Sequence, residues 1–333
     1  MTPTSGGPWR RLAGEAGIDP VAVVGAGVMG HGIAQLFATA GAAVRLHDVD
    51  PGRLEAGLRE VERSLHLLVE EGALDTAAAA AARTRIQPTT DLDTALRGAG
   101  LVTECIPEVL DAKHFLFAHV ERVVAPDALV VSNTSTFPIA RLADGATHPE
   151  RMAITHYFNP AQLVPLVEVV PHPAMPPGRV EQVLAILVAV GKRPVLLRRD
   201  VPGFVANRLQ AALVREALHL LQAGVASAED IDTVLTEGPG VRWPFLGPVE
   251  MVDLGGLDVW RRVIDNLAPE LCREEAAPGI LRERVERGDL GAKTGAGFHD
   301  YSDGRAEARL RHRDRALVRL AELKRRLDEP PGR

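Results

Sequence analysis

The sequence predicts an α/β first half built on a mostly parallel sheet, followed by an all-α second half. Three observations predict it. Short apolar runs alternate with helical patterns up to about residue 198, and such alternation implies parallel strands joined by helices. A glycine-rich turn, Gly25-Ala-Gly27-Val-Met-Gly30, links the first apolar run to the first helical pattern. Beyond Asp200 the chain keeps helical spacing and shows no strong strand.

Residues 21–24 are a short apolar run ending in glycines and read as a buried strand. Residues 30–40 read as a helix and 43–47 as a second strand. Over residues 53–71, Leu54, Leu58, Val61, Leu65 and Leu68 share one helical face. The alanine tract at 77–82 follows Asp75-Thr76. Alanine is the best helix former and Asp or Thr caps, so this helix makes a hairpin with the one before it. Strands follow at 101–105, 129–131, 152–155 and 167–170. A helix at 179–190 and a strand at 194–197 close the alternation. Pro202-Gly203 opens a helix over 204–223, and Ser227 with Asp230 is a capping signature for the next. The Asp303-Gly304 pair marks a turn. Residues 306–327 are an Arg/Leu-rich amphipathic helix. The expected organisation is therefore a flexible leader (1–19), an α/β domain with a helical hairpin insertion (20–198), a helical domain (199–302) and a C-terminal helical tail (303–333).

With 333 residues, 46% hydrophobic and 25% charged, the chain has ordinary soluble composition and the length of about two domains. Its net charge of −6 argues against a dedicated nucleic-acid surface. Cys105 and Cys272 are too few for a disulfide scaffold and show no metal-ligand spacing. They fit a reducing compartment, so a cytoplasmic location and no metal are expected. No apolar run reaches membrane-spanning length without charges, so no membrane role is expected.

The glycine turn carries the first chemistry. Gly25 permits a tight turn, Gly27 lets backbone amides approach a pyrophosphate, and Gly30 lets helix and strand pack closely. The helix N-terminus favours the phosphates. The second strand ends at Asp48, eighteen residues after Gly30. A carboxylate there accepts hydrogen bonds from a ribose 2′-hydroxyl and repels a 2′-phosphate. The first half thus reads as a Rossmann-type dinucleotide-binding domain that uses NAD.

His156 and Glu168 lie twelve residues apart in one apolar stretch. A buried carboxylate needs a partner, and the histidine is available if the chain doubles back through Pro160 and Pro165. Histidine serves as base or acid near neutral pH, and a carboxylate beside it fixes its tautomer. Residues 132–136, Ser-Asn-Thr-Ser-Thr, follow another strand and offer several hydroxyls. They serve equally as a substrate contact or a polar loop. Asn207, one turn into its helix, is similarly open. Arg242 suits a bidentate pair with a carboxylate as well as a structural surface role.

These pieces resemble the L-3-hydroxyacyl-CoA dehydrogenase family over residues 20–302. The resemblance rests on the glycine turn, Ser132-Asn-Thr-Ser135, His156-Tyr-Phe-Asn-Pro160, Leu166-Val-Glu-Val169, residues 200–208, Gly247-Pro248 and Lys293-Thr-Gly-Ala-Gly-Phe298. It implies that His156 takes the 3-hydroxyl proton and that Glu168 is its electrostatic partner. It further implies that Ser135 and Asn207 contact the substrate oxygen. Glu108, Lys113, Asn159 and Lys293 are implied as further cofactor contacts, and the helical domain as a homodimer interface.

Two departures bear on the substrate. Ser64 sits where the family contacts CoA, but the lysine expected for the CoA phosphates is Glu71. Arg53, Arg59 and Arg63 are possible substitutes. Equally, Arg59 pairs with Glu55 and Arg63 with Glu60 along their own helix. Residues 238–248, with Arg242, are similar to the lambda-crystallin/L-gulonate 3-dehydrogenase branch and to carnitine dehydrogenases, which use free 3-hydroxy acids. Residues 253–258 and 293–298 are similar to the acyl-CoA branch. The expected activity is NAD-dependent oxidation of a short-chain L-3-hydroxyacyl-CoA of 3-hydroxybutyryl type, with a free 3-hydroxy acid such as L-gulonate or carnitine as the alternative. A redox-inactive NAD-binding protein of crystallin type is a third reading, disfavoured by the intact set of reacting residues.

Overall fold

The computed structural model describes residues 18–328. Residues 1–17, most of the expected leader, lie outside the described residues. Ile18 is buried, and Asp19 Oδ1 accepts a hydrogen bond from Ala43 N at 2.9 Å. The last two leader positions therefore belong to the fold.

Eight strands form one sheet in the order β3-β2-β1-β4-β5-β6-β7-β8. They are β1 (Val21–Val24), β2 (Val44–His47), β3 (Ile86–Thr89), β4 (Leu101–Glu104), β5 (Leu129–Ser132), β6 (Met152–Tyr157), β7 (Leu166–Pro171) and β8 (Arg193–Leu196). All neighbours run parallel except β6 and β7. The period of two sends Val21 and Val23 to one core cluster and Ala22 and Val24 to the other. β3 was not legible in the sequence: Ile-Gln-Pro-Thr has one buried residue, and its proline is tolerated at the sheet edge.

The helices of this unit are α1 (Gly30–Ala40), α2 (Pro51–Glu70), α3 (Thr76–Arg85), α4 (Leu92–Leu96), α5 (Leu110–Val123), α6 (Ile139–Leu142) and α7 (Pro177–Ala189). The hairpin α2–α3 forms where the leucine spacing and alanine tract place it. Asp50 caps α2 by accepting from Gly52 N and Arg53 N, and Asp75 caps α3 by accepting from Ala78 N. Leu54, Val61 and Leu65 of α2 and Ala79 and Ala82 of α3 enter the core beside Ile33 and Phe37 of α1.

The chain divides into two compact units, the first ending at Phe204 and including Asp314–Glu322, the second beginning at Val205. The division falls beyond residue 198 because Leu197 and Phe204 pack into a core cluster of the first unit. Asp200 Oδ2 also accepts from Ile139 N at 2.7 Å. The second unit holds α8 (Ala206–Gln222), α9 (Ala228–Glu237), α10 (Pro239–Arg242), α11 (Pro248–Gly255), α12 (Leu257–Leu267) and α13 (Gly279–Arg287). Ser227 caps α9, accepting from Asp230 N.

The final helix is α14 (Arg305–Asp328). Its residues Asp314–Glu322 group with the first unit. Val318 is buried, Arg315 pairs with Glu70 at 3.0 Å, and Arg319 pairs with Glu71 at 2.7 Å. Glu70 and Glu71 crowd two negative charges at the C-terminus of α2, against the macrodipole. The two arginines offset that repulsion. Among the described residues no helix is long and apolar enough to cross a membrane.

Candidate active site

β6 extends to Tyr157, so His156 lies within the strand; the sequence had ended that strand at residue 155. The chain does double back. In the antiparallel β6–β7 register His156 stands directly opposite Glu168, and opposed residues share a face of the sheet. His156 is 5% exposed and Glu168 1%. Nδ1 lies 2.9 Å from Glu168 Oε2. An ionised carboxylate only accepts, so Nδ1 carries the hydrogen and Nε2 of the neutral ring keeps its lone pair. The rings of Phe158 and Phe204 lie 4.9 and 5.2 Å from the imidazole, limiting its rotation.

The turn between these strands is held from below. Lys192 is buried, and its Nζ donates to Ala161 O at 2.5 Å and Val164 O at 2.7 Å. Burial pulls its ammonium down to about 8. Asn159 sits exposed at the start of this turn.

The loop at 132–136 follows β5, which pairs with β6. Asn133 Oδ1 accepts from Tyr157 N at 2.9 Å, tying the loop to the end of β6. Its four hydroxyls differ in occupation. Ser132 Oγ donates to Glu104, and Thr134 and Thr136 Oγ1 both donate to Glu108 Oε1. Among the described residues the Ser135 hydroxyl makes no hydrogen bond, while its backbone N–H donates to Glu108 Oε1 at 3.2 Å. Of the four, Ser135 alone retains a free donor and acceptor.

Lys113 underlies this loop, 1% exposed. Its Nζ lies 2.6 Å from Glu104 Oε1, 3.2 Å from Glu108 Oε2 and 3.4 Å from Ile106 O. These partners engage all three ammonium hydrogens, so Lys113 reaches a ligand only through Glu108. Burial pushes the Glu104 carboxyl up, with Lys113 opposing the shift. For Glu108 burial also acts upward, but hydrogen bonds from Thr134 and Thr136 and the Lys113 charge prevail and hold it low. Glu104 escaped the sequence reading. It is a carboxylate in an apolar run, the same signal that singled out Glu168.

The glycine turn has the shape a pyrophosphate needs. Gly25 has φ +105°, and a Cβ there would meet Cys105 O at 2.6 Å. A Cβ at Gly30 would run into the Gly25 carbonyl oxygen, whereas one at Gly27 would meet nothing within 4 Å. No side chain caps α1, which leaves its first amides for an anion. Asp48 Oδ2 accepts from Ala26 N at 3.0 Å, and Oδ1 from Asp50 N at 3.0 Å. Each oxygen retains a lone pair for another donor. These residues fit a dinucleotide.

The remaining expected residues are dispersed. Ser64, half-buried on α2, accepts from Gln162 Nε2 at 3.1 Å. Arg59 pairs with Glu55 at 2.9 Å and Arg63 with Glu60 at 3.2 Å; Arg53 reaches Asp50 at 3.7 Å. Asn207, Arg242 and Lys293 belong to the second unit. Asn207 is half-buried, and Arg242 and Lys293 are exposed.

Known proteins resemble this chain over most of its length. The model of the 3-hydroxyacyl-CoA dehydrogenase NAD binding domain matches residues 20–201, and that of the C-terminal domain matches 203–301. The chain is 34% identical, over 92% of its length and 98% of the relative's, to 5-formyl-3-hydroxy-2-methylpyridine 4-carboxylate 5-dehydrogenase of Mesorhizobium japonicum. It is 34% identical to the lambda-crystallin homolog of Bos taurus, over 95% of this chain and 99% of that one. It is 35% identical to a probable 3-hydroxybutyryl-CoA dehydrogenase of Bacillus subtilis, over 86% of this chain and 98% of that one. A crystal structure of a 5-formyl-3-hydroxy-2-methylpyridine 4-carboxylic acid 5-dehydrogenase superposes with a TM-score of 0.85 at 31% identity, covering 91% of this chain and 97% of that one.

Proposed function

The chain belongs to the 3-hydroxyacyl-CoA dehydrogenase family of NAD-dependent oxidoreductases, and on that premise we propose that it oxidises the hydroxyl of a small free hydroxy acid rather than of a CoA thioester. The carrying observation is the charge balance of the α2–α3 hairpin. Residues 51–85 contain five arginines, no lysine and six carboxylates. Arg53, Arg59, Arg63 and Arg83 each have an acidic partner, and Arg85 donates to Ala38 O. Glu71 stands where a CoA-phosphate lysine is expected, and Arg319 pairs with it. CoA carries several phosphate charges, and this hairpin offers them no surplus of positive charge. Relatives named for free acids support this reading: an L-carnitine dehydrogenase matches 90% of this chain and a pyridine-carboxylate dehydrogenase 92%, beside 86% for a probable 3-hydroxybutyryl-CoA dehydrogenase. The latter's 35% identity keeps the thioester as the second reading.

In the proposed reaction His156 Nε2 accepts the hydroxyl proton, and Glu168 stabilises the resulting imidazolium through Nδ1–H. NAD supplies the hydride acceptor. Ser135 Oγ and Asn207 hold the reacting oxygen, and Arg242 pairs with the substrate carboxylate. Gly25, Gly27, Gly30, Asp48, Glu108, Asn159 and Lys293 hold the cofactor, with Lys113 positioning Glu108. A positioned proton transfer contributes about 10²–10⁴-fold in rate.

We also propose a homodimer through the helical unit, in a reducing, cytoplasmic setting that suits the two free thiols. Helices α8–α13 bury no residue within the protomer. On α12, Leu257, Ile264 and Leu267 are all more than half exposed. Light scattering on the purified protein reads the mass directly, and a monomer at working concentration refutes the dimer.

Substrate class is settled by NAD reduction with L-gulonate, L-carnitine and pyridine-ring hydroxy acids, beside NADH oxidation with acetoacetyl-CoA. Turnover of a free acid is expected. Turnover of acetoacetyl-CoA alone overturns the reading.

A further inference from the structure

We propose that His219, Cys272 and Glu274 form a binding site for a zinc-class divalent metal in the helical unit. The site stands apart from the proposed redox chemistry and does not depend on it. His219 lies in the last turn of α8, and Cys272 and Glu274 lie on the segment after α12. One ligand atom from each residue falls within 4.8 Å of the other two.

Two bonds clamp the segment onto the helix. Cys272 N donates to Glu216 Oε2 at 2.8 Å, and Arg215 Nη1 donates to Glu274 O at 3.4 Å. Glu216 precedes His219 by three residues, so both project from one face of α8. The backbone is therefore fixed on both sides of the cluster by contacts that do not use the ligand atoms. Among the described residues, the imidazole of His219, the thiol of Cys272 and the carboxylate of Glu274 make no hydrogen bond or ion pair. Cys272 is 6% exposed, in a unit whose helices bury nothing. A buried sulfur facing an imidazole and a carboxylate is an unexplained grouping unless something joins them.

The donor set defines the metal. Imidazole nitrogen and thiolate sulfur suit zinc and exclude the hard cations magnesium and calcium. Zinc bonds are about 2.0–2.3 Å long, so ligand atoms on one ion come within roughly 4 Å of each other. Glu274 is exposed, so its side chain has room to adjust around an ion. Three protein ligands leave the fourth tetrahedral position for water. On binding, the Cys272 thiol releases its proton to solvent as the S–metal bond forms. The product is a cross-link between α8 and the post-α12 segment. It stabilises a unit that has little core of its own, because metal affinity for a folded site adds to folding free energy.

The test uses the full-length, tag-free protein after dialysis against a chelator. Zinc is titrated against a chromogenic chelator and thermal unfolding is followed with and without zinc. The expected result is one zinc per chain and a rise in Tm, both lost in Cys272→Ser and in His219→Gln. Exposed Glu274→Gln guards against misfolding and is expected to weaken zinc binding about tenfold or more, equivalent to about 1.4 kcal/mol. Cobalt is expected to give a thiolate charge-transfer absorption in the wild type and none in Cys272→Ser. Equal zinc stoichiometry in wild type and Cys272→Ser, or the absence of the cobalt–thiolate band, overturns the proposal.

Discussion

His156 Nδ1 and Glu168 Oε2 lie 2.9 Å apart across adjacent antiparallel strands, directly opposite in register. The pair is thus built into the sheet rather than into a loop, and neither partner can move without shifting a strand. Glu168→Gln preserves shape and a hydrogen-bond acceptor but removes the charge that offsets the imidazolium. A hydrogen bond to a charged group is worth about 1.5–3 kcal/mol, so kcat is expected to fall by roughly ten- to a hundredfold. His156→Ala is expected to cost about 10²–10⁴, with NADH affinity retained in both. Near-wild-type turnover in His156→Ala excludes it as the base.

Hydroxyl occupation makes a second distinction. Ser135 keeps a free hydroxyl, whereas Thr136 donates to Glu108 at 2.7 Å. Ser135→Ala is expected to lower kcat/KM while leaving Tm unchanged. Thr136→Ala is expected to lower stability by about 1 kcal/mol, the net worth of one hydrogen bond, with a smaller kinetic effect. Steady-state kinetics and melting curves on both variants measure this, and the opposite pattern assigns the loop a purely structural role.

Those two cases mark how far sequence reading reaches. The histidine–glutamate pair was legible because strand period and a proline-rich turn bring residues twelve apart face to face. The choice of Ser135 was not legible. It depends on Glu104, the last residue of β4, and on Glu108 just beyond it, which reach across to occupy the neighbouring hydroxyls. The place of Lys113 was hidden for the same reason: its partners are set by how α5 packs under that loop. Cys272 and His219 carry no recognisable spacing because they come from separate segments joined only by packing. The fold shows the same limit. The helices over 30–40, 53–71 and 179–190 and the apolar strands were read to within two residues, while the polar edge strand β3 and the helix α5 were missed.

The glycine turn separates a packing role from a ligand role. At Gly30 the approach of backbone to backbone is already closed, so Gly30→Ala is expected to destabilise the protein by about 1–3 kcal/mol or more, the cost of overfilling a packed site. At Gly27 the space is open. Gly27→Ala is expected to leave Tm unchanged while raising the NADH Kd about tenfold or more, or 1.4 kcal/mol. Asp48→Ala is expected to weaken NADH as well. Calorimetric NADH titration beside thermal melts resolves these effects, and unaltered NADH affinity in Gly27→Ala removes the turn from the cofactor site.

Lys192 gives the pH prediction. Its ammonium is buried beneath the turn that joins His156 to Glu168, and burial lowers it from 10.5 to about 8. Between these values the unfolded chain binds more protons at this position than the native one. Stability therefore rises with pH across that window, and is lost as pH falls toward 8. The full span corresponds to roughly 3 kcal/mol at about 1.4 kcal/mol per unit. Other alkaline groups titrate in the same range, so the comparison is with Lys192→Met, which keeps length and packing but has no proton to lose. The variant leaves Ala161 O and Val164 O without their donor at every pH, a constant penalty. Urea unfolding at pH 8 and pH 10 then isolates the lysine: the wild type should gain stability relative to Lys192→Met as pH rises. A gap that stays constant between the two pH values means that burial has not displaced the Lys192 titration, and the turn is held by an ammonium that remains charged throughout.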